Sequence, residues 1–152
     1  MTVSRHVVTV LVAGLLLGAA PAPKDDDAKK EREALQGTWK VVSVEDSGQA
    51  EPPDGILLVF EKDTFTVKKG DHLLFKGTFR LDPSKRPKAI DMAVTQSEER
   101  ETAGKELHGI YELTKDGLKW CSSEPGGTER PKEFSTKEGS KSLLVTLKKD
   151  KP

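Results

Sequence analysis

The chain has 152 residues, 34% hydrophobic and 33% charged, with 25 basic side chains against 25 acidic ones. That length fits one domain. Zero formal net charge argues against the strongly basic face with which nucleic-acid binders displace counterions from phosphates.

Taken in chain order, Val7 to Ala20 is an apolar run interrupted only by Thr9 and followed by Pro21 and Ala22, with Arg5 ahead of it. It has the layout of a secretory signal peptide over residues 1–22 and is too short for a membrane-crossing helix. The expected product is an extracytoplasmic domain, periplasmic or secreted, with no membrane span in the mature chain. No cysteine stands in the small-residue stretch to carry a lipid. Residues 23–34 follow as a charged leader running into a short helix, where Asp25 to Lys29 and Asp26 to Lys30 are acid-before-base i,i+4 pairs. Gly37 is its expected stop.

Beyond Gly37 the punctuation changes to runs of five to ten residues separated by Gly, Pro, Asp and Lys. Strands are expected near Thr38–Val44, Ile56–Phe60, Thr64–Lys69, His72–Leu81, Ala89–Val94, Glu106–Leu113, Leu118–Ser122 and Ser142–Lys148. Short connections such as Lys69-Gly70-Asp71 and Asp116-Gly117 make sequence neighbours pair in space. Glu124 to Gly139 is the longest loop, and its Phe134 leaves open a further short strand.

Alternation assigns the faces. In the fourth run Leu73, Phe75, Gly77, Phe79 and Leu81 share one side, and His72, Lys76, Thr78 and Arg80 the other. Around Asp116-Gly117, Tyr111, Leu113, Leu118 and Trp120 share a face in either of two registers, one pairing Tyr111 with Ser122 and the other with Trp120. Glu112, Lys119, His108 and Cys121 go to the opposite, wet side. Gly37-Thr38-Trp39, Gly77-Thr78-Phe79 and Gly109-Ile110-Tyr111 each place a glycine two residues before an aromatic on one face. A missing Cβ relieves a tightly coiled sheet, and the aromatic covers the gap. An eight-stranded antiparallel up-and-down meander closed into a barrel also removes both open edges.

The run Leu35-Gln36-Gly37-Thr38-Trp39 resembles the opening of the lipocalin and fatty-acid-binding superfamily. That resemblance implies a barrel with its tryptophan inside, near an end plugged by the leading helix; the barrel domain is expected over 35–149. Leu81 to Asp91, Gly109 to Leu113 and Arg130 to Phe134, together with Leu35 to Val44, are also similar to a family of small secreted lipocalin-like domains of planctomycete bacteria. This second resemblance implies an extracytoplasmic barrel and no particular activity. Where lipocalins place an arginine after the last strand to cross the tryptophan, only Lys148 and Lys149 are on offer, and Ser47 to Gly55 is too short for the two helices of the fatty-acid-binding branch.

Catalytic signals are sparse, so the domain is expected not to be an enzyme. Only His72 and His108 remain after signal removal, and no metal-ligand spacing, phosphate-binding glycine loop, cofactor motif or nucleophilic serine elbow is present. His108 and Cys121 form the nearest thing to a base and nucleophile, but the outer face of a strand supplies neither a pocket nor a third group. Glu98-Glu99-Arg100-Glu101 reads as a solvated loop. The positive expectation is a small apolar or amphipathic ligand among Trp39, Phe75, Phe79, Tyr111 and Trp120, since eight strands enclose either a filled interior or one small ligand. The alternative is a protein-interaction or envelope-associated module with a filled core, using Arg130 and Phe134 of the long loop as an exposed contact pair.

Overall fold

The computed structural model describes residues 25–151, so the signal segment expected over 1–22 lies outside the described residues. The strand-rich reading holds. One helix, α1 (Asp25–Leu35), precedes nine strands: β1 (Gly37–Asp46), β2 (Gln49–Glu51), β3 (Ile56–Glu61), β4 (Thr64–Lys69), β5 (His72–Asp82), β6 (Lys88–Ser97), β7 (Glu106–Leu113), β8 (Gly117–Ser123) and β9 (Ser142–Lys149). Among the described residues no helix is long and apolar enough to cross a membrane.

Consecutive strands from β3 to β9 pair antiparallel. β1 closes the circuit by pairing β3 through Gly37–Lys40 on one side and β9 through Trp39–Asp46 on the other. The result is a closed eight-strand barrel. β2 is outside that count. It folds back on Val44–Asp46 through Ser47-Gly48, both at positive φ, and all three of its residues are exposed. With no buried position, it leaves no alternating apolar signature in the sequence.

Three Asp residues open α1, where carboxylates meet the positive end of the helix dipole. Only Leu35 of the helix is buried, and it joins the barrel core. Gln36 secures the exit: its Nε2 donates to the carbonyls of Arg32 (2.9 Å) and Lys62 (3.0 Å), and its Oε1 accepts from the Lys62 amide (2.6 Å). The helix end is thereby bound to the β3–β4 turn.

The three glycine-to-aromatic repeats have different reasons. A Cβ on Gly77 would lie 1.8 Å from the Ala93 carbonyl oxygen, so β6 approaches there only because the side chain is missing. At Gly109 a Cβ would lie 2.7 Å from Trp120 Nε1. The indole that covers Gly109 therefore comes from the neighbouring strand, where the sequence pattern pointed to Tyr111. Gly37 has space, but its φ of +109° is closed to L side chains.

Two face assignments are revised, the first by a bulge. Val67 pairs with Phe75 and Lys68 with Leu73, so Leu74 is inserted and the phase of β5 slips by one. Leu74 and Phe75 pack against the core, whereas Leu73, expected inside, does not join it. Between β7 and β8 the register is the one that sets Tyr111 opposite Trp120 and Leu113 opposite Leu118.

The second revision lies outside the barrel. Ala89, Ile110, Cys121 and Leu144 pair in turn across β6 to β9 and form one outward row. The first three are buried yet absent from the interior cluster. The segment from Glu124 to Lys141 straps this wall, so Cys121 is dry where alternation alone made it wet. Thr136 anchors the strap, accepting from the Gly48 amide (3.2 Å) and donating to Glu45 (2.5 Å). Phe134 belongs to no strand and is half-buried.

Candidate functional site

The two ends of the barrel are built differently. At the end nearest α1, Trp39 is fully buried and its Nε1 donates to the Leu35 carbonyl (2.8 Å). Lys149 lies over the Trp39 ring, 5.0 Å from its centroid, and donates to the Ala34 carbonyl (3.0 Å). A lysine thus crosses the tryptophan where the lipocalin resemblance calls for an arginine. Phe60 and Phe79 meet edge to face at 5.0 Å. Tyr111 donates to Glu31 of the helix (3.2 Å), and Lys88 pairs with the same carboxylate. Burial, reinforced by the Glu31 charge, holds the Tyr111 hydroxyl far above its ordinary pKa, so it stays a donor.

At the opposite end lies a cavity of about 460 Å³. Leu74, Phe75, Leu107, Trp120 and Leu143 make its apolar wall. Asp46, Glu98, Glu99, Glu124 and Lys141 stand around it as well, and all five are exposed. The size falls within the range of about 300–1,000 Å³ usual for small-molecule sites. Trp120 is itself buried, yet its indole N–H finds no partner among the described residues.

Of the five aromatics assigned to a ligand from sequence, Phe75 and Trp120 line this cavity, while Trp39, Phe79 and Tyr111 are packed into the core and do not. Leu74, Leu107 and Leu143 escaped notice, as did Glu98 and Glu99, read as a solvated loop. The consecutive apolar residues Leu73-Leu74-Phe75 were an available signal, because three in a row break strict alternation and call for a bulge or for cover on both faces.

The outer wall holds the other polar cluster. Arg130 donates to the carbonyls of Gly109 (2.7 Å) and Ile90 (3.2 Å) and, through Nη2, to Asp91 (2.7 Å). His108 Nδ1 lies 2.8 Å from the same Asp91 oxygen, and its Nε2 is 3.8 Å from Glu106. Burial alone would raise the Asp91 pKa, but the hydrogen bonds from His108 and Arg130 outweigh it and hold the carboxyl below its ordinary value. Arg130, expected as a free contact residue, is spent on pinning the strap to the barrel.

His108 and Cys121 do not meet as a pair. The His108 ring is engaged by Asp91, while Cys121 Sγ lies 4.0 Å from the Ser135 carbonyl under the strap. Burial raises the thiol pKa, which keeps it from the reactive thiolate form. His72, at the cavity end, is exposed and lies 2.9 Å from Glu98. Among the described residues no group of three His, Cys, Asp or Glu side chains is placed to hold a metal ion.

No family model and no curated protein matches the sequence. Solved structures do. The chain is similar to a lipocalin-like protein from Bacteroides uniformis, with 17% identity over 77% of this chain and 99% of that one and a TM-score of 0.51. It is also similar to an uncharacterized protein from Bacteroides eggerthii, with 15% identity over 75% of this chain and 98% of that one and a TM-score of 0.46. At such identities the first likeness is one of fold: the chain adopts a lipocalin-like β-barrel.

Proposed function

We propose that the protein is a non-enzymatic, exported binding domain that takes one small apolar or amphipathic molecule into the open end of its barrel. The observation that carries this reading is the cavity of about 460 Å³ walled by Leu74, Phe75, Leu107, Trp120 and Leu143 at one end of an otherwise packed interior. Transfer of apolar ligand surface into such a wall is favourable at roughly 25 cal/mol per Å². Export is supported by the apolar run from Val7 to Ala20, which has the layout of a signal peptide. The commitment of Arg130 to Ile90, Gly109 and Asp91 supports the cavity, not the strap, as the working surface.

Phenylnaphthylamine, a neutral hydrophobic fluorophore, tests the cavity. Saturable one-to-one enhancement is expected, lost when Leu143→Trp fills the open end while the melting temperature is kept. A response that never saturates, or one that Leu143→Trp leaves unchanged, overturns the reading.

A further inference from the structure

We infer that the cavity selects a cationic amphiphile, an apolar chain carrying an ammonium-type head; this rests on the cavity being the binding site. Four carboxylates, Asp46, Glu98, Glu99 and Glu124, surround it, against one permanent cation, Lys141. Lys141 forms an exposed ion pair with Glu124 at 3.6 Å, which sets one cation against one of the four carboxylates. Glu98 has only His72, a cation solely when protonated. Asp46 and Glu99 have no ion-pair partner among the described residues.

Both of those carboxylates are oriented by neutral donors: Ser47 Oγ donates to Asp46 (2.9 Å), and Thr102 Oγ1 to Glu99 (3.4 Å). Their charge is therefore uncompensated at the entrance. The whole chain has zero formal net charge, so this negative surplus is local. A cleft with one sign of charge over apolar walls focuses its field into the opening. A ligand whose chain fills the apolar wall must leave its head among these carboxylates. A cationic head is attracted there, and an anionic one, including a fatty acid carboxylate, is repelled.

Calorimetric titration with decyltrimethylammonium, decyl glucoside and decanoate, identical in chain and different in head, tests this below their micelle concentrations. The cation is expected to bind at least about fivefold tighter than the glucoside, and decanoate most weakly, with the spread shrinking in about 0.5 M salt. Asp46→Asn with Glu99→Gln, both exposed sites, should remove most of the preference and leave the melting temperature unchanged. Equal affinities, a preference for decanoate, or a cation preference undiminished in that double variant each overturn the inference. If phenylnaphthylamine binds and none of the decyl compounds does, the ligand class is wrong and the cavity reading stands. If phenylnaphthylamine also fails, the cavity reading falls with it.

Discussion

The two tryptophans show how differently the two ends of one barrel are constructed. Trp39 sits at the helix end with its N–H bonded to Leu35, a lysine over its ring, and packed side chains around it. Trp120 sits against a void with its N–H unmet among the described residues. The same residue type is fully hydrogen-bonded at one end and borders open space with its N–H unpartnered among the described residues at the other. A packed end and an end with a cavity are thereby separated along the barrel axis.

A matched pair of substitutions would break that contrast most directly. Trp39→Phe removes volume from a filled region and strips the Leu35 carbonyl of its donor, so it should cost about 2–4 kcal/mol in urea unfolding. Trp120→Phe removes an unmet donor and enlarges an existing cavity, and should cost about 1 kcal/mol or less. Equal costs would mean that the ends do not differ.

The strap offers the next largest effect. Arg130→Ala leaves Asp91 and two carbonyls short of donors, which predicts a loss of about 2 kcal/mol. It also predicts faster labelling of Cys121 by a thiol reagent, since that thiol is dry only because the strap covers it. Unchanged labelling would show that the strap does not depend on Arg130.

Lys149→Met tests the helix end more gently. Loss of the cation over Trp39 and of the bond to Ala34 should cost roughly 1 kcal/mol, with Trp39 emission shifting and ligand affinity unchanged.

The smallest effect is in acid. Because the Asp91 pKa is held below its ordinary value of 3.8, its stabilising contribution is complete above that pH and is lost as pH falls through the lower folded-state value. Asp91→Asn should therefore flatten the low-pH limb of the stability curve. An identical limb in the variant would show that other carboxylates carry it.

Much of this architecture was legible from the chain alone. All eight barrel strands fall where alternation and turn residues put them, Thr64–Lys69 and Glu106–Leu113 to the residue. Trp39 at the helix-plugged end follows from the resemblance of Gly37-Thr38-Trp39. The face of Leu74, the dryness of Cys121 and the commitment of Arg130 were not legible. Each depends on an inserted residue or a distant segment whose effect periodicity within one strand does not contain.

By itself, the sequence determined what local steric and solvation rules can determine. It set which stretches extend, which side of most strands is apolar, and where glycine must stand. Only the tertiary structure decided that β1 meets β9, that the strap dries one outer wall, and that the packed interior stops short of one end. Those outcomes depend on pairings between residues far apart in the chain, such as Asp46 with Leu143 and Arg130 with Asp91. The free energy of such contacts exists only once the barrel has closed.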